Sequence, residues 1–214
     1  MNVSEHILKN KIITVARGVD IKNILPLANA LIEGGITCME VALNQKSTDG
    51  NKNALDSINL LRKNTEGVMK IGVGTALTAA QVREAAAAGA QFVVSPCVVP
   101  DVINETKKAG LVSIPGAATP TEIVSGFTLG ADFIKLFPVS SFGPDYLKAI
   151  TVPLSHIPII VMGGVLPENI MQYALSGACG FGISGPLTNA QSIANGDFKA
   201  ITETAKRYVS ALGL

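Results

Sequence analysis

The order of predicted elements along the chain indicates an α/β fold of the (β/α)8, or TIM-barrel, type. Short runs rich in β-branched residues recur about eight times, and segments with the 3.6-residue periodicity of helices lie between them. The length of 214 residues suits a compact barrel of eight such units and a single domain spanning residues 1–214. A doubly wound open sheet is the competing prediction, because it uses the same alternation.

The individual elements follow from these patterns. Helical segments begin after capping residues such as Thr78 and Thr119 or with prolines such as Pro100, and several end at a glycine such as Gly89. We expect an extra helix at 2–10 before the first strand, a last helix at 196–212 and a polar loop at 48–53. Strands are predicted at 11–17, 38–43, 70–75, 92–96, 111–115, 133–137, 158–162 and 180–184, and the other helices at 24–33, 54–63, 79–88, 101–108, 121–129, 144–150 and 167–176.

The composition argues against several classes of function. Hydrophobic residues make up 48% of the chain and charged residues 15%, which predicts a large core and no disordered region. A formal net charge of +1, 5% aromatic residues and no tryptophan provide neither a positive field nor stacking platforms. We therefore expect no nucleic-acid partner and no membrane partner.

The cysteines and the apolar segments indicate the compartment. Cys38, Cys97 and Cys179 are odd in number and share no close spacing, which argues against a disulfide framework and a cysteine-based zinc site. The first ten residues lack the continuous apolar run of a signal peptide, and the longest apolar run, 157–166, is too short to cross a bilayer. A soluble, cytoplasmic protein is expected.

One lysine stands in the otherwise apolar strand 133–137. Side chains alternate along a strand, so Phe133, Lys135 and Phe137 share one face while Ile134 and Leu136 share the other. Burial lowers a lysine pKa, and an amine that is neutral near pH 7 attacks carbonyl carbon. The alternative is a lysine at a strand end whose ammonium group reaches solvent.

The second predicted strand directs a carboxylate into the barrel. Met39, Val41 and Leu43 form an apolar face toward the helices, so Glu40 and Asn44 point the other way. One interpretation is an ion pair with the lysine of the sixth strand or the arginine that ends the first. The other is a proton shuttle with a shifted pKa, which we favour and which we also expect to be partnered while the site is empty.

Functional groups of a (β/α)8 barrel collect at the C-terminal ends of its strands. Gly163-Gly164 follows the seventh strand and Ser184-Gly185 the eighth, where backbone N–H groups of such barrels often hold a phosphate. One glycine turn is weak evidence, but two at the expected ends predict a phosphate site. Substrate-facing positions at or near the other strand ends are Arg17, Asn44, Thr75, Pro96 and Phe137.

The chemistry predicted here needs no cofactor and no metal. Residues 180–185 spell G-x-G-x-x-G, but they lie within the last strand and no second βαβ half follows, so we discount dinucleotide binding. His6 and His156 are the only histidines, which argues against a zinc site built on several histidines. An amine nucleophile requires neither group.

Seven motifs occur in an order that resembles one enzyme family: 39–44 (MEVALN), 72–75 (GVGT), 94–96 (VSP), 114–116 (IPG), 119–122 (TPTE), 134–138 (IKLFP) and 162–165 (MGGV). They resemble the class I 2-keto-3-deoxy-6-phosphogluconate (KDPG) and 4-hydroxy-2-oxoglutarate (KHG) aldolases. The resemblance extends from about Arg17 to Ser184. The lysine and glutamate strands are specific motifs, whereas the glycine turns are not.

Within that family the sequence is more similar to the 2-keto-3-deoxy-6-phosphogalactonate (KDPGal) branch. Asn44 stands where gluconate enzymes usually carry an arginine for the pyruvate carboxylate, and Met162 replaces their threonine. The motifs 142–146 (FGPDY) and 167–169 (PEN) also resemble the galactonate type.

The resemblance implies a role for each candidate residue. Lys135 forms an imine with the C2 ketone of the substrate, and Glu40 shuttles protons. Arg17, Thr75 and Asn44 bind the substrate, including its carboxylate. It further implies a homotrimer, and a phosphate site formed by Gly163, Gly164, Ser184 and Gly185.

The resulting prediction is a lyase that cleaves a 6-phosphorylated 2-keto-3-deoxy sugar acid, of gluconate or galactonate type, to pyruvate and glyceraldehyde 3-phosphate. A further predicted substrate is 4-hydroxy-2-oxoglutarate, cleaved to pyruvate and glyoxylate. Two alternatives stay open. One is a phosphosugar epimerase or isomerase on the same barrel, in which Lys135 has no covalent role. The other is a non-catalytic module that binds a phosphorylated metabolite.

Overall fold

The computed structural model describes the backbone of residues 1–46 and 48–214 and the side chains of residues 1–46 and 51–214. Parallel strands form one sheet within this part of the chain. They are β1 (Ile12–Arg17), β2 (Cys38–Ala42), β3 (Lys70–Gly74), β4 (Phe92–Val94), β5 (Val112–Ile114), β6 (Gly116–Ala117), β7 (Ile134–Leu136), β8 (Ile159–Met162) and β9 (Ala178–Ile183). Their order in the sheet is β5-β4-β3-β2-β1-β9-β8-β7-β6, so neighbours in sequence are neighbours in space.

One segment of the chain closes this sheet into a barrel. β5 pairs with β4 and β6 pairs with β7, while a single residue, Pro115, separates β5 from β6. Proline has no N–H to donate to a neighbouring strand, but its carbonyl accepts the backbone N–H of Lys135 at 2.8 Å. β5 thus lies within the predicted fifth strand (111–115), and β6 extends that strand by two residues beyond its predicted end. The (β/α)8 barrel is confirmed, and the open-sheet alternative is wrong.

Helices follow the strands and cover the outside of the barrel. Within the described residues the last unit carries a short additional helix, α9, that the sequence patterns do not predict. The helices are α1 (Val3–Asn10), α2 (Ile21–Glu33), α3 (Thr48–Asn64), α4 (Ala79–Ala87), α5 (Pro100–Lys108), α6 (Pro120–Thr128), α7 (Gly143–Thr151), α8 (Ile170–Leu175), α9 (Ala190–Ala194) and α10 (Phe198–Ala211), with a 3-10 turn at Val139–Ser141.

The loop predicted at 48–53 is wrong, because these residues form the beginning of α3. Asn53 explains part of the difference: its side chain donates to the carbonyl of Val19 at 3.1 Å and accepts from the N–H of Ile21 at 3.3 Å. Polar residues that suggest a loop by composition thus attach the start of α3 to the segment after β1. Tertiary contacts outweigh local propensity here.

The predicted capping residues begin their helices. The hydroxyl of Thr78 accepts from the N–H of Gln81 at 3.2 Å at the start of α4, and Thr119 and Glu122 form a capping box at the start of α6. Pro100 occupies the first turn of α5, where the missing N–H is harmless. These local signals fix where each helix leaves the C-terminal rim of the barrel.

The alternation of side chains along the strands produces two separate cores. One lies between strands and helices and includes Met39, Val41, Ile134 and Leu136. The other fills the barrel and is sealed at its N-terminal end by Ile7 of α1. It contains Ile7, Ile13, Val15, Cys38, Phe92, Val94, Ile114, Phe133, Ile160 and Met162. The opposite end of the barrel carries polar groups instead.

Candidate active site

A cavity of about 300 Å³ opens at the C-terminal end of the barrel. Most of the residues predicted from the sequence line it, whereas Glu40 and Asn44 do not. The predicted residues in its wall are Arg17, Thr75, Pro96, Lys135, Phe137, Gly163, Gly164, Ser184 and Gly185. The barrel therefore brings together residues that are up to 168 positions apart (185 − 17).

Lys135 lies in the middle of β7 and is 8% exposed. Its Nζ atom is 4.6 Å from the centroid of the Phe137 ring, the next side chain on the same face of the strand. Burial lowers the pKa of the Lys135 ammonium group; Glu40 opposes this shift and Arg17 adds to it. The alternative of a lysine that extends into solvent is wrong, and the amine is in an environment that favours its neutral form.

Glu40 lies in β2 and is 1% exposed. Burial raises the pKa of its carboxyl group, while Lys135 and, to a smaller extent, Arg17 lower it. Among the described residues no ion pair joins Glu40 to either cation, and its Oε2 atom has no hydrogen-bond partner. The expected direct pairing is therefore absent from this part of the chain, and the groups interact through space. An unpartnered buried carboxyl group can both accept and donate a proton.

Arg17 and Thr75 form a polar pair at the mouth of the cavity. The guanidinium Nη2 donates to the Thr75 hydroxyl at 3.1 Å. Both residues also line a second cavity of about 380 Å³, so they stand between the two spaces. A guanidinium group in such a position can bind a carboxylate with two parallel hydrogen bonds.

Asn44 lines the second cavity rather than the one that holds Lys135. Its side-chain oxygen accepts from the backbone N–H of Lys46 at 3.0 Å, so it is used in a local turn. Lys46 and Gln45 line the same cavity. The structure thus places Asn44 beside Arg17 and Thr75, in a position adjoining the lysine pocket.

The backbone conformation of the turn after β8 requires glycine at both positions. Gly163 and Gly164 have φ values of 89° and 85°, and a Cβ on Gly164 would lie 2.5 Å from Cβ of Ser140. Asn169 holds the turn: its side chain donates to the Gly164 carbonyl at 3.0 Å and accepts from the N–H of Leu166 at 2.8 Å. The turn is a rigid backbone surface on one side of the cavity.

Ser184 and Gly185, which follow β9, form another part of the cavity wall. The Ser184 hydroxyl donates to the carbonyl of Val15 in β1 at 3.2 Å, which ties the last strand to the first. Among the described atoms, none outside its chain neighbours lies within 4 Å of the position that a Cβ of Gly185 would occupy. Packing does not demand glycine here, so its absent side chain leaves room for a ligand.

The first two glycines of the G-x-G-x-x-G sequence have a structural role in β9, whereas Gly185 lies beyond the end of this strand, contrary to the prediction that 180–185 lie within it. A Cβ on Gly182 would collide with the side chain of Met162, and one on Gly180 would lie 3.1 Å from the carbonyl of Lys11. At these two positions glycine makes room for neighbouring atoms.

Several cavity residues were missed from the sequence. Met162 could have been found, because it alternates with buried Ile160 along β8 and must point into the barrel. Leu166 and Pro186 lie in loops, where no periodic signal exists. The lining residues not predicted are Val15, Met162, Val165, Leu166, Gly182, Ile183 and Pro186.

No group of three or more His, Cys, Asp or Glu side chains in the described ranges is arranged to hold a metal ion. Over the same stretch of chain, no helix has the length and apolar character needed to cross a bilayer.

Comparison with known proteins agrees with this geometry. A family model described as KDPG and KHG aldolase matches residues 3–204. The 2-dehydro-3-deoxy-phosphogluconate aldolase of Treponema pallidum is 33% identical over 218 residues, which cover 100% of this chain and 99% of that protein.

Solved structures show the same relationship. A native KDPGal structure is 32% identical, with a TM-score of 0.84 and 94% of each chain covered. A KDPG aldolase from Legionella pneumophila, captured with pyruvate as a covalent carbinolamine, is 26% identical, with a TM-score of 0.83 and coverage of 96% of this chain and 97% of that one. The protein described here belongs to the KDPG and KHG aldolase family.

Proposed function

We propose that this protein is a class I aldolase that cleaves 2-keto-3-deoxy-6-phospho sugar acids to pyruvate and glyceraldehyde 3-phosphate. The observation that carries the proposal is a buried Lys135 that lines the cavity at the C-terminal end of the barrel. The buried carboxyl group of Glu40 in β2 is its charged neighbour. The family match and the pyruvate adduct of the Legionella relative support the proposal. We extend the proposal to cleavage of 4-hydroxy-2-oxoglutarate to pyruvate and glyoxylate.

The first half of the mechanism is imine formation. The neutral amine of Lys135 attacks the C2 carbonyl and forms a carbinolamine, whose hydroxyl leaves as water after Glu40 donates a proton. The resulting protonated imine withdraws electrons from the adjacent carbons. Because the pKa of Lys135 is lowered, more of the amine is in the nucleophilic form at neutral pH.

The second half is cleavage and release. Glu40, now a carboxylate, removes the proton of the C4 hydroxyl while the C3–C4 bond breaks and its electron pair moves toward the imine nitrogen. This releases glyceraldehyde 3-phosphate and leaves an enamine. The enamine is protonated at C3 and hydrolysed, which gives pyruvate and restores the free amine of Lys135.

The remaining residues position the substrate in this proposal. Arg17 and Thr75 face the carboxylate end, together with Asn44 in the adjoining cavity. The Gly163-Gly164 turn and the Ser184-Gly185 turn offer backbone N–H groups to the phosphate. Pro96 and Phe137 form apolar wall between the two ends.

Chemical trapping tests the central proposal. Incubation with pyruvate and borohydride should add a reduced pyruvate adduct to one lysine, and peptide mapping should place it on Lys135. The Lys135→Met variant should form no adduct and release no pyruvate in a coupled dehydrogenase assay. An adduct on another lysine, or full activity of Lys135→Met, would show that the assignment is wrong.

We further propose a preference for the galactonate-type substrate. Support comes from Asn44 at the position of the arginine typical of gluconate enzymes and from Met162 in the cavity wall. The test is a comparison of kcat/KM for the gluconate-derived, galactonate-derived and unphosphorylated hydroxyketoglutarate substrates under one set of conditions. A higher value for the gluconate epimer would contradict the preference.

We also propose that the protein acts as a homotrimer in the cytoplasm. Val152 after α7 and Leu175 at the end of α8 are 74% and 81% exposed, and the Thr151 hydroxyl joins these helix ends through the Ser176 carbonyl at 3.0 Å. The odd number and wide spacing of its cysteines favour a reducing compartment. Light scattering should give the mass of a trimer, and Leu175→Glu should lower it while Leu8→Glu does not; a monomeric wild type would contradict the proposal.

A further inference from the structure

Thr75 has an unusual backbone at the boundary between the two cavities. Its φ angle is 63°, in the left-handed region that β-branched residues rarely adopt. Such a conformation is strained for a β-branched residue and persists when the surrounding structure imposes it. The neighbours of Thr75 must therefore hold it in place.

Two glutamines make a continuous chain of hydrogen bonds to this residue. The Gln45 side chain donates to the carbonyl of Thr75 at 2.6 Å, and the Gln81 side chain donates to the oxygen of Gln45 at 2.9 Å. The oxygen of Gln81 accepts from the backbone N–H of Leu77 at 2.7 Å.

The direction of this chain is fixed at both ends. A carbonyl only accepts, so Gln45 must present its NH2 group to Thr75 and its oxygen to Gln81. A backbone N–H only donates, so Gln81 must present its oxygen to Leu77 and its NH2 group to Gln45. Both amide orientations are thereby determined, and either glutamine could reverse only by breaking two bonds.

The chain continues from Thr75 into the cavity. The Thr75 hydroxyl accepts from Arg17 at 3.1 Å, so the orientation of the guanidinium group depends on where Thr75 is held. Gln81 is anchored in turn, because its backbone N–H donates to the capping hydroxyl of Thr78 at 3.2 Å. The first turn of α4 is thus connected to the cation at the cavity mouth.

We propose that Gln45 and Gln81 are positioning residues that fix Thr75, and through it Arg17, for the carboxylate of the keto acid. This inference rests on the proposed function, because it assigns the carboxylate end of the substrate to Arg17. Neither glutamine contacts the reacting atoms. Their contribution is to the affinity for the keto acid and not to the chemical steps at Lys135.

The test is a pyruvate titration of borohydride trapping with wild type, Gln45→Ala, Gln81→Ala and the double variant. Each single alanine variant removes two hydrogen bonds of the chain and should raise the pyruvate concentration for half-maximal trapping by about 3–10-fold. The substrate KM should rise similarly, while kcat stays within about twofold. Because the two glutamines act in series, the double variant should be no worse than Gln45→Ala.

Two further variants separate positioning from folding. Gln81→Glu keeps the acceptor for Leu77 but loses the donor to Gln45, so it should weaken pyruvate binding as Gln81→Ala does, with Tm closer to that of wild type. Gln172→Ala, at an exposed position in α8, is the matched control and should change nothing.

The outcomes distinguish the two proposals. Trapping at Lys135 with unchanged half-saturation in folded Gln45→Ala, or additive effects of the two alanine variants, would overturn the positioning role and leave the aldolase proposal intact. Absence of a wild-type adduct on Lys135 would overturn the proposed function, and the positioning role with it.

Discussion

The carboxylate of Glu40 in β2 lies against Gly74 in the neighbouring strand β3, where a Cβ would collide with its Oε1 atom. Because Gly74 has no side chain, β3 leaves space for the carboxyl group of Glu40 in β2. This contact limits where the carboxyl group of Glu40, the proposed proton shuttle, can lie relative to the amine of Lys135.

Gly74→Ala should therefore displace Glu40 and lower kcat by roughly 100-fold, at the lower end of the usual contribution of general acid–base catalysis. The Lys135 amine should still be trapped by pyruvate and borohydride, because β7 is untouched. In a Glu40→Ala background, where the collision is relieved, the added methyl group should have no further effect on kcat. Equal kcat for Gly74→Ala and wild type would contradict the role given to this contact.

The pH dependence of trapping should shift in opposite directions when the two charged neighbours of Lys135 are removed. Glu40 raises the pKa of Lys135, so Glu40→Gln should move the midpoint of the trapping rate to lower pH. Arg17 lowers that pKa, so Arg17→Met should move the midpoint to higher pH. The measurement is the midpoint and not the amplitude of the rate profile. Shifts in the same direction would show that the pKa is not controlled by these charges.

The two buried ionisable groups should reduce stability at neutral pH. Because the pKa of Glu40 is raised, its contribution to folding stability is fully present below the ordinary pKa of 4.5. That contribution is lost as the pH rises through the pKa of the folded state. Because the pKa of Lys135 is lowered, its contribution to folding stability is present above the ordinary pKa of 10.5. That contribution is lost as the pH falls through the pKa of the folded state. Between these limits, both groups favour unfolding.

Replacing both groups with neutral residues should consequently stabilise the fold. At pH 7 the double variant Lys135→Met/Glu40→Gln should gain roughly 1–4 kcal/mol, as is common when buried charges are replaced by residues of similar volume. Thermal unfolding should show a higher Tm, with the gain shrinking toward pH 4 and toward pH 11. A lower Tm than wild type at pH 7 would refute this expectation.

Gly185→Ala should discriminate between substrates with and without a phosphate. The added Cβ meets no described atom outside its chain neighbours within 4 Å, so it should leave Tm unchanged and instead occupy cavity space. We expect KM for a phosphorylated substrate to rise by about 10-fold, the equivalent of roughly 1.4 kcal/mol. Half-saturation by pyruvate, which carries no phosphate, should be unchanged; a parallel rise for both ligands would argue against a phosphate site at this turn.

The positions that periodicity determines were predicted well. Alternation places Lys135 inside the barrel and Leu136 against the helices, and the structure confirms both. The closure of the barrel at Pro115 was predicted only in part, because the predicted fifth strand ended at this residue. That the chain continues into β6 with a different partner depends on β7, which lies far along the sequence.

The electrostatic details could not be predicted from the sequence, because they depend on contacts between distant residues. The isolation of Glu40 depends on Gly74, and the strained backbone of Thr75 is held by Gln45 and Gln81 from two other segments. Asn44 was identified from its place near the end of the second strand and from the resemblance, whereas its bond to the N–H of Lys46 is a property of the local turn.

The pairing of β1 with β9 has a consequence for biosynthesis. Arg17 emerges from the ribosome early and Gly185 very late, yet both line one cavity. In a growing polypeptide, Lys135, the proposed nucleophile, is synthesised long before β9 can complete the barrel. We therefore expect turnover only after β9 has been translated, and no activity from a product truncated before it.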